Sequence, residues 1–321
     1  MNGTFRGRQP VTAIRPPLPI SAVGSERGFA LITAMGLLSA LLIMGLSLGT
    51  AVRGDLWQTR RFQDAAAAEF LAKGGVEWTI HYLNTVEAEG RLWQAPWQDQ
   101  PTLFQNHSLR PGAIEISYID PGGTTRYGMQ DEEARVNVNT APAAVLAALP
   151  GGTPDIAQAI VAQRQQRLLI VPQELVEFGS VPAEVFHGTA ATPGMAQYLT
   201  AWGSGKINLN TASAVVLAAL PGMAPAMVEA IVRHRQGDDQ LPGTADDRHF
   251  HEVAGLLALD VIDRATLARI EPWVTVVPTA FRVIATGRVE SGQGTTSVYR
   301  QMAIIDRTAR PIRIHYWWRL S

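Results

Sequence analysis

The chain has 321 residues, enough for two or three domains, with 27 Lys and Arg against 28 Asp and Glu. A formal net charge of −1 gives no general attraction to nucleic acid and no acidic tail. The absence of cysteine excludes disulfides, thiolate catalysis and Cys-ligated zinc. Seven histidines are scattered, none in an H-E-x-x-H pattern.

Residues 1–27 carry Arg6, Arg8, Arg15 and Arg27 against Glu26, with Pro10, Pro16, Pro17 and Pro19 opposing a folded element. Gly28 to Val52 follows, 25 residues without a charge, bounded by Arg27 and Arg53. A helix needs about 20 apolar residues to cross a bilayer, so this stretch reads as a single membrane span. Basic residues before it place the N-terminus in the cytoplasm and the rest across the membrane. A proline-free stretch from Arg53 to Asn84 continues the helix, with Leu56, Phe62, Ala66, Phe70, Val76 and Ile80 as its apolar stripe. Gly74-Gly75 marks a point where it could bend.

The junction Arg27-Gly28-Phe29 resembles a type IV prepilin leader. That resemblance implies peptidase cleavage between Gly28 and Phe29 and methylation of the new Phe29 N-terminus. Thr33 stands where most such proteins have glutamate. The K component of type II secretion characteristically lacks that acid, so Thr33 narrows the resemblance. The competing reading is an uncleaved signal anchor.

Residues 91–112 read as a loop. Ala113–Asp120 alternates as a strand, Pro121-Gly122-Gly123 is a turn, and Thr124–Met129 is a second strand. Phe281–Val289, Ser297–Ile305 and Ile312–Trp318 read as three more, with a hairpin turn at Gly292 to Gly294. These strands flank an insertion, which implies one sheet divided by it.

The insertion contains a repeat. Val136–Gly151 recurs at Ile207–Gly222 with an offset of 71 and identity at 12 of 16 positions. Each copy reads as a helix capped by Asn-Thr (Thr140 or Thr211), buried through Val145, Leu146 and Leu149 or Val216, Leu217 and Leu220. Pro-Gly ends it, and a second helix turns Ile156, Ile160 and Val161, or Met227, Ile231 and Val232, inward. This is helix-hairpin-helix grammar. Yet Thr153 and Ala224 replace the second hairpin glycine, Pro154 and Pro225 remove donors, and positive charge is limited to Arg164, Arg167, Arg233 and Arg235. Counterion release needs several phosphate contacts, so a packing module is favoured over DNA binding.

Two Asn-Thr-Ala segments in a helical insertion, preceded by Asp131-Glu132-Glu133-Ala134-Arg135-Val136-Asn137, again resemble the minor pseudopilin K family of type II secretion (general secretion pathway protein K). The expected fold is α+β: a long N-terminal helix packed on an antiparallel sheet, pilin-like, with a large inserted all-α domain containing two helix-hairpin-helix-like repeats. The expected segments are leader 1–28, helix 29–84 with span 29–52, first sheet part 85–135, insertion 136–275 and C-terminal strands 276–321. The resemblance implies an inner-membrane protein with a periplasmic soluble part. Its partners would be the minor pseudopilins I and J and the prepilin peptidase, its place the pseudopilus tip. The alternative function is a membrane-anchored DNA-binding protein.

Four carboxylates, Asp238, Asp239, Asp246 and Asp247, lie in one Gly- and Pro-spaced loop, which suits a hard cation such as calcium. The loop is similar to the calcium-binding loop of the K family, with Asp246 where glutamate is usual. A solvated acidic loop is the alternative. His249 and His251 flank Phe250 beside it, and Trp317-Trp318 reads as cover for a sheet edge or core. No nucleophile elbow or phosphate loop is present, so catalysis is not expected.

Overall fold

In the computed structural model, residues 25–88, 97–120, 122–189, 192–244, 246–291 and 294–320 are described. The basic leader up to residue 24, Pro121 and the tip of the turn at 292–293 lie outside them. The chain divides into two units between Arg60 and Arg61.

One continuous helix, α1, runs Ser25–Ala88. Its segment from Phe29 to Leu48 exposes every large apolar side chain, as a helix made for lipid does. Within the second unit the helix buries Ala68, Leu71, Ala72, Val76, Leu83 and Val86. Those positions are related by steps of three, four and seven residues, one helical face. Burial of each Leu or Val contributes about 1.5–3 kcal/mol. The expected stripe is corrected here: Phe62 and Phe70 are exposed, and Ala68, Leu71 and Ala72 face the sheet instead. Small residues win because the backbones approach closely. A Cβ on Gly75 would lie 3.1 Å from Ile116 and 3.2 Å from Ala285, and one on Gly287 would strike the Ala68 carbonyl. Gly75 thus serves contact with the sheet within an unbroken helix.

The segment expected to be loop holds a short helix, α2 (Pro101–Phe104), and strand β1 (His107–Leu109). Pro101 suits a first helical turn, and buried Phe104 meets Tyr82 edge-on at 5.3 Å. One anchor among polar residues leaves no periodicity to read. The strand expected at 113–120 splits into β2 (Gly112–Ile116) and β3 (Tyr118–Ile119). β3 leaves the main sheet and pairs with β4 (Thr125–Arg126). Asp120 closes that turn, its Oδ1 accepting from Thr124 N at 2.9 Å. β5 (Gln130–Asp131) returns to the main sheet.

The central part then runs β6 (Val136–Asn137), α3 (Ala143–Ala147), α4 (Pro154–Gln166), α5 (Glu174–Glu177), α6 (Ala183–His187) and β7 (Leu199–Thr200). It continues β8 (Ile207–Asn208), α7 (Ala214–Ala218), α8 (Pro225–Arg235), α9 (Arg264–Ile270) and β9 (Val274–Thr275). One hydrophobic cluster from Val136 to Val276 serves this whole stretch.

Three strands complete the sheet: β10 (Ala280–Glu290), β11 (Thr296–Asp306) and β12 (Arg313–Leu320). The order is β1-β2-β10-β11-β12 with β5 also on β10, all antiparallel. A separate cluster, including Val76, Leu83, Ile116, Phe281, Val283 and Ile305, fills the space between helix and sheet. The fold is therefore α+β, with a long helix on an antiparallel sheet interrupted by a helical region.

Candidate functional site

The two hairpin units share a backbone scheme far beyond their identical residues. In the first, β6 pairs with β7 in parallel; in the second, β8 pairs with β9 in parallel. Each unit thus closes its first strand against its last. Asn139 stands at the centre of the first. Its amide donates to the Leu169 and Ala201 carbonyls at 2.9 and 3.3 Å, and its oxygen accepts from Leu169 N at 2.9 Å. Asn210 repeats this with Phe250 O, Val276 O and Phe250 N at 2.9, 3.0 and 2.8 Å. Asn137 and Asn208 each accept from the backbone N–H two residues on.

The expected Asn-Thr helix caps are therefore corrected. These asparagines tie distant segments together, while α3 opens after Pro142 with no side-chain cap and α7 is capped by Ser213. Ser213 Oγ accepts from Val216 N at 3.3 Å, and Thr153 Oγ1 from Ile156 N at 3.2 Å. Thr153, at the missing hairpin glycine, is thus the cap of α4, and Pro154 opens it without losing a bond. Gly151 and Gly222 take φ of 75° and 83° after α3 and α7, where a side chain would be strained.

Of the basic residues weighed for phosphate contact, Arg164 and Arg235 are spent on backbone carbonyls within the fold, and Arg167 and Arg233 form ion pairs at the surface. Arg164 donates to Val138 O and Ala141 O at 2.9 and 2.7 Å. Arg235 donates to Leu209 O and Ala212 O at 3.0 and 2.7 Å. Burial brings the Arg235 guanidinium down to about 10, with Asp247 opposing. Arg167 pairs with Glu174 and Arg233 with Glu229. Nothing in this arrangement presents a phosphate-binding row.

Both units hang from three consecutive buried acids that begin at the last residue of β5. Asp131 Oδ2 accepts from Asn208 Nδ2 at 2.7 Å and Thr211 Oγ1 at 2.6 Å, holding the second unit. Glu132 accepts from Thr200 of the first unit and, at 2.7 Å, from Arg282 of β10; Arg135 stands 3.4 Å away. Glu133 accepts from Ser204 N at 2.9 Å, between the units, and from Thr279 N and Ala280 N at 2.9 and 3.1 Å. Their exposures are 4%, 0% and 1%. Burial, then the nearby Glu133 charge, pushes Asp131 well above the usual carboxylate range. Burial opposes ionisation of Glu132 too, but Arg282 and Arg135 overcome it and hold the group below its ordinary value. Sequence reading saw this segment only as a family signature. Three adjacent acids without surface patterning were its one local signal.

In the acidic loop the carboxylates turn on the loop itself. Asp246 Oδ2 accepts from Asp238 N and Asp239 N at 2.6 and 3.0 Å, and Oδ1 from Thr244 Oγ1 at 2.8 Å. The Thr244 hydroxyl first, then those amides, holds Asp246 near a pKa of about 2. Asp239 Oδ1 accepts from Leu241 N, Asp247 Oδ2 from Gly243 N, and Asp238 pairs with Arg248. Asp247 Oδ1 alone is buried without a partner. Among the described residues no three acidic or imidazole groups gather as metal ligands. It borders a cavity of about 860 Å³ with His234, His249, Phe250 and Trp97 in its wall.

At the leader junction α1 runs through Gly28 and Phe29, with Phe29 71% exposed. Thr33 Oγ1 donates back to the Phe29 and Ala30 carbonyls, both at 3.0 Å, so it offers a neighbour no charge. The segment from Gly28 is long and apolar enough to cross a membrane.

Residues 136–177, the first hairpin unit as far as α5, match the family model described as type II secretion system (T2SS), protein K. The matching family is protein K of type II secretion. The resemblance to the K family read from the sequence is borne out by this match. Residues 203–275, the second unit, match the helix-hairpin-helix motif model. No curated protein matches the chain. Among solved structures, a chain of the GspK-GspI-GspJ complex from the enterotoxigenic Escherichia coli Type 2 Secretion System is similar at 13% identity. That similarity covers 82% of this chain and 99% of that one, with a TM-score of 0.48. The K family is a structural component of secretion, and the first hairpin unit is what this chain shares with its family model.

Proposed function

We propose that this chain is a minor pseudopilin of type II secretion, of the K type, that begins or caps a pseudopilus together with the minor pseudopilins I and J. The observation that carries the reading is the protein K match on the first hairpin unit, which is inserted in a sheet covered by the later part of α1, from Ala68 on. Phe29–Val52 rests in the inner membrane with the sheet and hairpin units in the periplasm. The peptidase cuts between Gly28 and Phe29 and the new N-terminus is methylated. Thr33 gives no carboxylate to a neighbouring subunit's N-terminus, which suits a position with no subunit above it. The inserted bulk suits the same end. The chain acts by assembly, without catalysis.

Calcium stays in this proposal as an event that would rearrange the acidic loop, since Asp246 would have to release Asp238 N and Asp239 N. The first test is the intact mass of the protein extracted from membranes that contain the peptidase. A chain starting at methylated Phe29 is expected. A chain that keeps residues 1–28 there would reduce the reading to an uncleaved anchor.

A further inference from the structure

The sheet ends on β12, which pairs with β11 and, among the described residues, with no further strand, while Trp202 lies against the His315 and Tyr316 rings at 5.6 and 6.0 Å. Its eight residues leave a row of N–H and C=O groups unpaired. Arg313, His315, Trp317, Trp318 and Arg319 are exposed. Trp317 lies opposite Ala303 and Trp318 opposite Met302, so the two indoles project from opposite faces of the same edge. Their exposures, 40% and 57%, are high for tryptophan, whose apolar surface is normally covered. Trp318 stacks with Tyr316 at 6.4 Å. Trp317-Trp318 was expected to cover an edge or core; the pair instead flanks an open edge.

The charge on this edge is of one sign. Among the described residues Arg300, Arg313 and Arg319 have no acidic partner, while Asp306 is engaged by Thr308 and His315. Arg319 lies over the Tyr299 ring at 5.0 Å, which leaves its N–H groups available. Pairing β12 with its own copy, antiparallel about Tyr316, would set Arg313 of one strand opposite Arg319 of the other at both ends. Like charges facing across strands are destabilising. The bulge at His315, between the Ile304–Tyr316 and Ile305–Ile314 pairs, further spoils a straight self-match.

We infer that β12 receives an extended, acid-bearing segment of another minor pseudopilin, added as a further antiparallel strand between Trp317 and Trp318. The inference rests on the proposed function for the identity of the partner and on the edge for the mode of binding. Backbone pairing supplies the affinity; the two indoles clasp the added strand on both faces, and the arginines select its acids.

The test is hydrogen exchange on the full chain in detergent, alone and after co-purification with its cognate minor pseudopilins I and J. Amides of Arg313–Leu320 are expected to exchange at least about tenfold more slowly in the complex. The surface variant Arg313→Glu with Arg319→Glu is expected to keep the melting temperature of the free chain and lose that protection. A complex that forms without protection of β12 overturns the inference and leaves the proposed function standing. Failure of any complex to form overturns both. Protection that grows with concentration of the chain alone shows self-pairing and overturns the inference. Protection unchanged by the charge reversal overturns the acidic partner.

Discussion

The two hairpin units solve one problem with the same parts and different margins. Asn139 reaches its loop clamp 30 residues on and Asn210 reaches its own 40 residues on. The difference of ten is the acidic loop, inserted between α8 and Phe250. A clamp indifferent to ten added residues is fixed by its terminal bonds, since loop closure costs little more as a loop lengthens. The attachments to the acids that begin at the end of β5 also differ. The first unit is tied through Glu132, a charge held by two arginines. The second is tied through Asp131, a group that burial drives toward its neutral form. One architecture thus hangs from an ionic anchor on one side and a hydrogen-bonded one on the other.

Breaking the anchors should expose that asymmetry most. Glu132→Gln leaves Arg282 and Arg135 without their buried counter-charge and is expected to cost about 3–5 kcal/mol in urea denaturation. Asp131→Asn keeps an oxygen for Glu133 N and is expected to cost less than half as much. Equal losses would show that the two anchors are of one kind.

Next come the clamps. Asn139→Ala and Asn210→Ala each strand three backbone partners and are expected to cost about 2–3 kcal/mol apiece. A much smaller loss for Asn210→Ala would mean that the longer loop has loosened its bonds.

The pH dependence is a finer probe. The folded pKa of Asp131 lies above its ordinary 3.8, so the folded state holds the extra proton. Its contribution is full below that value and is lost as pH rises through the folded pKa. Glu132 acts in reverse: its contribution is present above the ordinary 4.5 and is lost as pH falls through its lowered folded value. Denaturation curves should therefore lose a downward slope as pH rises above 3.8 in Asp131→Asn, while Glu132→Gln should weaken the fall in stability below pH 4.5.

The smallest effect concerns the inserted loop. Calcium is expected to raise the melting temperature by a few degrees, reversibly with chelator, and Asp238→Asn with Asp246→Asn should abolish the rise. Superimposable curves with and without chelator would remove calcium and leave the loop as a difference in length alone.

Much of this was legible in the chain. Gly28–Val52, the three long C-terminal strands and the duplicated Asn-Thr-Ala segments are local patterns, and periodicity or self-similarity reports them directly. The strand ends fell within two residues of those read, and Val145, Leu146, Val216 and Leu217 are buried as their spacing required. The sequence alone determined that an apolar helix precedes a divided sheet and that the divider is built twice. Tertiary structure decided what the polar residues do. Arg164 and Arg235 could have faced phosphate or carbonyl, and the choice depends on where Val138, Ala141, Leu209 and Ala212 end their backbone ladders. Asn139 and Asn210 could have capped helices, but segments 30 to 66 residues away claimed their amides. Phe70 could have faced the sheet, but at the close approach to Gly287 and Ile116 the helix presents Ala68, Leu71, Ala72 and Gly75 instead. Hydrogen-bond partners and closest approaches are set across the fold, and no local window of sequence contains them.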